Sequence, residues 1–196
     1  MNIIITGASR GIGFATAKLL SENSANRLLL LSRNIVPLEE LSENSAHDNV
    51  DYLGFDLLNP NWSELAKKLE SWEKIDRIIN NAGMLVNKPF QELTSQDWQS
   101  VYGVNVFGPA ALIRHSVALL EKADRPHILN ISSMGGFQGA SKFPGLSAYS
   151  SSKAAISNLT ECLAEEFKDL GIAVNCLALG AVQTEMLGEA FPGYEA

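Results

Sequence analysis

Short apolar runs alternate with amphipathic stretches along nearly the whole chain. Residues 3–6, 27–31, 50–55, 77–80, 127–132 and 172–178 each have strand length. Such runs suit strands buried on both faces, as inside a parallel sheet, and the segments between them suit crossover helices. The pattern predicts an α/β fold, a doubly wound parallel sheet of six strands flanked by helices, in a single domain over residues 1–196. Right-handed crossovers put the ligand site at the carboxyl ends of the strands, where the winding reverses. Trp62, Leu65, Leu69 and Trp72 recur at helical spacing and read as a core stripe. A long helix is predicted to start near Ser147 and to end before Gly171, a residue suited to a helix stop. The polar stretch from Leu41 to Asn49 reads as a helix end and loop, and no internal repeat interrupts the order.

Composition narrows the function classes. Apolar residues make up 46% of the 196 and charged residues 19%, enough apolar content for a folded core. The apolar runs fall short of the roughly 20 residues that cross a bilayer, so no membrane partner is expected. A net charge of −7 argues against a nucleic-acid surface, which needs clustered cations. Cys162 and Cys176 form no metal-binding or redox spacing and read as reduced core residues. His47, His115 and His127 are equally scattered, so no metal site is expected. Met1 to Gly7 runs directly into the first strand without a leader-like segment, and a cytoplasmic location is the expectation.

Two motifs carry chemistry. Tyr149 and Lys153 stand four apart, on one face of the predicted long helix. A free phenol has a pKa of about 10, and a fixed cation one turn away favours the phenolate, so the pair is suited to proton transfer. Directly after the first strand comes Thr6-Gly7-Ala8-Ser9-Arg10-Gly11-Ile12-Gly13, followed by a helical stretch from Phe14 to Leu20. Glycines allow a tight turn and close approach to a ligand, and the free N–H groups of a helix start favour a pyrophosphate.

With this turn, the chain resembles the short-chain dehydrogenase/reductase family. The resemblance continues through Asn80-Asn81-Ala82-Gly83, Asn105, Ile131-Ser132-Ser133, and Tyr149 with Lys153. It implies a Rossmann-type fold and a nicotinamide cofactor lying on Gly7, Ser9, Arg10, Gly11, Ile12 and Gly13 and on Asn81, Ala82 and Gly83. It also implies that Tyr149 is the general acid in carbonyl reduction and the general base in alcohol oxidation. Lys153 would lower the Tyr149 pKa and hold the nicotinamide ribose, and Ser133, chosen over Ser132, would hydrogen-bond the reacting oxygen. Asn105 would keep a water and a backbone bend in place. Gly180, Val182 and Thr184 would meet the nicotinamide end, although Leu179 stands where the family usually has proline.

The residues after the second strand separate NAD from NADP, because a carboxylate there binds ribose hydroxyls and an arginine accommodates a phosphate. Here the chain reads Ser32-Arg33-Asn34. Arg33 together with Arg10 predicts NADP(H). Asp56 is expected at the adenine, with Leu57 beside it. The segment holding Phe137, Phe143, Pro144 and Leu146, with Met186, Leu187 and Phe191, is expected to shape an apolar substrate pocket. The family usually continues through a seventh strand, so the chain reads as lacking that C-terminal segment; otherwise the sheet edge is bare or pairs with another subunit. The expected activity is NADPH-dependent reduction of a ketone, aldehyde or 3-oxoacyl group, in a homodimer or homotetramer. The alternatives are a nonenzymatic NADP-binding or interaction protein and a nucleotide-sugar epimerase or dehydratase.

Overall fold

Alternation along the first two strands determines how the layers form. In the computed structural model, which describes all 196 residues, Ile3, Ile5, Leu28 and Leu30 face one buried cluster while Ile4, Leu29 and Leu31 face another. Both faces of β1 (Asn2–Thr6) and β2 (Arg27–Ser32) are therefore covered. The remaining strands are β3 (Val50–Gly54), β4 (Arg77–Asn80), β5 (His127–Ser133) and β6 (Ala173–Leu179). All pair in parallel in the order β3-β2-β1-β4-β5-β6, with β1 between β2 and β4, so the winding reverses between β1 and β4. This is the Rossmann-type doubly wound sheet.

Helices α1 (Gly11–Ser21) and α2 (Val36–Glu43) cover one face through Ala17 and Leu38. The other face receives Leu65 and Leu69 of α3 (Trp62–Leu69), followed by the buried Trp72, which together form the core stripe read from the sequence. Trp62 closes its edge and stacks on His115, with ring centroids 4.2 Å apart.

Between β4 and β5 lie α4 (Ser95–Tyr102), a π-helical turn from Gly103 to Phe107, and α5 (Gly108–Leu120). This continuous stretch is long and apolar enough to cross a membrane by length and composition, a feature that strand-length runs alone did not reveal. Its Leu112, Ile113 and Leu120 are instead part of the core under the sheet. The helices α6 (Ser147–Glu166) and α7 (Glu185–Ala190) flank β6 in sequence.

Five of the six strands differ from the sequence expectation by one residue at one or both ends, and β4 matches it. The long helix stops earlier, at Glu166, and Gly171 at φ 68° turns the chain into β6. Cys162 corrects the core reading: it is an exposed thiol on α6, while Cys176 is half-buried on β6, and both are free. Hydrophobicity alone did not identify which side of α6 Cys162 occupies.

Candidate active site

The strand ends converge on a cavity of about 810 Å³, lined from the β1–α1 turn to α7. At one end, Gly7 and Gly11 adopt φ 65° and 54°, in the region that favours glycine. Gly13 lets α1 approach the turn, since a Cβ there would lie 2.3 Å from both the Gly7 carbonyl oxygen and Asn81 Nδ2. Gly13 itself does not line the cavity; it acts by permitting this approach. Asn81 Nδ2 donates to the carbonyls of Thr6 and Gly7 at 3.1 and 3.0 Å. The Thr6 hydroxyl accepts from the N–H groups of Asn81 and Ala82 at 3.1 and 3.0 Å. Thr6 and Asn81 thus bind the ends of β1 and β4 into one floor. Thr6 was absent from the expected site set, although its place before Gly7 was the available signal.

The start of α1 has no side-chain cap and no acidic residue in its first turn. Its N–H groups and positive dipole end are available to an anion, so the residues fit the phosphates of a dinucleotide. Gly7, Ser9, Arg10, Gly11 and Ile12 line this part of the cavity; Asp56, Leu57, Ala82 and Gly83 continue the wall. Ser9 and Ser32 are joined by a 2.8 Å hydrogen bond, and with Arg10, Arg33 and Asn34 they form a polar side recess. Arg10 also forms two hydrogen bonds with Glu189 of α7, at 2.5 and 3.2 Å.

At the other end, β5 and α6 bring Ser133, Tyr149 and Lys153 to the wall. The two adjacent serines differ in orientation. Ser132 Oγ donates to the Lys153 carbonyl at 2.7 Å and accepts from Ser157 at 2.8 Å, leaving Ser133 as the hydroxyl for Tyr149. Lys153 is buried, its Nζ donating to the Ile131 carbonyl at 2.8 Å and lying 5.8 Å from the Tyr149 ring centroid.

Burial sets the titration of the pair. Burial pushes the Tyr149 phenol above its ordinary value, and the Ser133 hydrogen bond opposes that rise. The Lys153 ammonium is directed to the Ile131 carbonyl and lies 5.8 Å from the centroid of the Tyr149 ring. Burial lowers Lys153 itself to about 8, partly opposed by Cys176. A lysine depressed from 10.5 to about 8 binds fewer protons folded than unfolded between those values, so its contribution to stability rises with pH there. Relative to Lys153→Met, the cofactor-free wild type is expected to gain about 3 kcal/mol across that window in denaturant unfolding. A flat difference would contradict the depressed ammonium.

Asn105, expected at a backbone bend, lies on the π-helical turn, buried and off the cavity wall. Its Oδ1 accepts from Met84 N–H at 2.8 Å, while Nδ2 donates to the Met84 carbonyl and Ser152 Oγ, both at 2.9 Å. Ser152 Oγ in turn donates to the Tyr149 carbonyl at 2.7 Å. Asn105 therefore connects the loop after β4 to the first turn of α6. Ser152 was missed because its partner Asn105 lies 47 positions away in sequence.

Gly180, Val182 and Thr184 line the cavity after β6, and Thr184 Oγ1 caps α7 by accepting from Leu187 N–H at 3.4 Å. Phe143, Leu146, Met186, Leu187 and Phe191 form apolar wall, with Tyr194 as an unanticipated addition. Phe137 and Pro144 do not line it, and Phe137 is exposed.

A doubly wound sheet with a glycine turn beside a Ser-Tyr-Lys cluster defines an α/β oxidoreductase of the nicotinamide-dependent class. A family model described as short chain dehydrogenase matches residues 1–195, and the chain belongs to the short-chain dehydrogenase/reductase family. An oxidoreductase of Staphylococcus saprophyticus is 33% identical over 190 residues, spanning 94% of this chain and 75% of the relative. The 3-oxoacyl-[acyl-carrier-protein] reductase FabG of Chlamydia muridarum is 32% identical over 192 residues, spanning 93% and 74%. Among solved structures, a short chain dehydrogenase from Shigella flexneri complexed with NADP superposes with a TM-score of 0.89 at 30% identity, covering 99% of this chain and 82% of that one. A 4-hydroxyisoleucine dehydrogenase complexed with NADH gives 0.86 at 29%, covering 98% and 78%.

Proposed function

We propose that this protein reduces a neutral, largely apolar ketone, aldehyde or 3-oxoacyl group to an alcohol with NADPH. The observation that carries the reading is one cavity with Tyr149, Ser133 and Lys153 at one end and Arg10 and Arg33 at the other. Bound NADPH supplies the hydride. The glycine turn and the uncapped start of α1 would hold its pyrophosphate, Asp56 and Leu57 its adenine side, and Arg10 and Arg33 its 2′-phosphate. The likeness to the NADP-complexed Shigella protein and to the Chlamydia 3-oxoacyl reductase supports this choice.

In this reading the Tyr149 hydroxyl gives its proton to the carbonyl oxygen, and Ser133 Oγ–H donates a hydrogen bond to that oxygen as negative charge develops. A phenol kept protonated by burial is suited to the reducing direction. Lys153, fixed by Ile131, stands beneath the ring as the next cation, while Asn105 and Ser152 hold the helical turn that aims Tyr149. The charged lining residues are Arg10, Arg33, Asp56, Lys153 and Glu189, so the Phe143–Leu146 and Leu187–Phe191 side contributes no cation for a substrate carboxylate.

Steady-state assays with matched neutral and carboxylate-bearing ketones, each with NADPH and NADH, test the proposal. The expected result is carbonyl-dependent NADPH oxidation, a neutral-substrate preference, and kcat/KM for NADPH at least about tenfold above NADH. Equal cofactor use or an NADH preference would sink the NADP assignment. No carbonyl-dependent turnover across a broad panel would favour a nonenzymatic dinucleotide-binding role.

A further inference from the structure

Arg10 faces two anionic claims. Its guanidinium lines the polar recess with Arg33, yet both of its terminal nitrogens are bonded to the Glu189 carboxylate from a helix 179 positions away in sequence. That pairing raises the Arg10 pKa and lowers that of Glu189. One turn earlier on α7, Glu185 Oε2 lies 3.5 Å from where a Cβ on Gly11 would stand. Two carboxylates of α7 thus approach the glycine turn, where the cavity otherwise offers uncapped N–H groups and arginine.

We propose that Glu189 is a cofactor-specificity determinant, acting as a counter-ion that the 2′-phosphate of NADPH must displace from Arg10. This rests on the NADPH reading above. A dianionic phosphate in the recess between Arg10 and Arg33 competes for the same guanidinium donors. NADH has no group at that position and leaves the Arg10–Glu189 pair intact. Glu189 therefore lowers affinity for NADPH selectively, narrowing the preference that the two arginines create. Because both partners are solvent-exposed, with side chains 48% and 63% accessible, the effect is modest.

Equilibrium titration by cofactor fluorescence, without substrate, tests this in the wild type, Glu189→Gln, Arg10→Ala and the double variant. Glu189→Gln is expected to tighten NADPH binding about threefold to fivefold while changing NADH binding by less than about twofold, and to have no effect on NADPH once Arg10 is absent. An equal change for both cofactors, an unchanged NADPH affinity, or a gain that persists without Arg10 would overturn the role of Glu189. A wild type that binds NADH as tightly as NADPH would instead overturn the cofactor reading, and the wild-type ratio is measured separately from the variant's shift.

Discussion

Tyr149→Phe is expected to lower kcat for carbonyl reduction by about 10²- to 10⁴-fold while leaving NADPH affinity within about twofold. Phenylalanine preserves the ring that packs above Lys153 and removes only the hydroxyl, the proposed proton source beside Ser133. No other acidic group adjoins Ser133 in the described contacts: Lys153 donates to Ile131, and Ser132 is committed to α6. Single-turnover kinetics with prebound NADPH measure the chemical step directly. Near-normal turnover with intact cofactor binding would remove Tyr149 from the proton-transfer role.

Gly13→Ala is expected to be the most damaging single-methyl change at the glycine turn. The added Cβ meets the Gly7 carbonyl and the pinned Asn81 amide at 2.3 Å, and neither is the end of a flexible side chain. Relieving the clash separates α1 from β1 or breaks the Asn81 bonds that join β1 to β4. Overpacking of this kind costs about 3 kcal/mol, which for a chain of this size lowers Tm by about 10 °C. NADPH binding should weaken by more than about tenfold, because the floor of the phosphate site moves with Asn81. Gly188→Ala is the control, since its Cβ meets nothing within 4 Å and the residue does not line the cavity. Equal stability and NADPH affinity in the two variants would show that the close approach at Gly13 is dispensable.

Periodicity made the layers legible: a strand buried on both faces leaves a continuous apolar run, as Ile3 to Ile5 and Leu28 to Leu31 do. The Tyr149–Lys153 pair was equally accessible, because helical spacing places residues four apart on one face. Their titration was not. Spacing reveals a neighbouring cation but not the burial that raises the phenol, nor the Ile131 carbonyl that accepts the lysine's hydrogen bond. The exposed side of Cys162 was hidden for a related reason, since α6 shows its buried face only once β5 and β6 pack against it. Arg10 stood out in its motif, whereas Glu189 became visible only when α7 folded across the glycine turn. Thr6, Asn105 and Ser152 act by joining loops, and such partnerships leave little trace in local sequence.

Strand position gives the site a second kind of asymmetry. Ser133 pairs in register with Leu179 on β6, which lies beyond β5 on the side of the sheet away from β1. The glycine turn is anchored between two interior neighbours, β2 and β4. The two ends of the proposed site are therefore carried by different ladders, the serine by β5 and β6 and the glycine turn by β2, β1 and β4. In the proposed reading, local opening of the β5–β6 ladder would move Ser133 without moving the glycine turn, so catalytic geometry and cofactor retention would loosen at different temperatures within one continuous sheet.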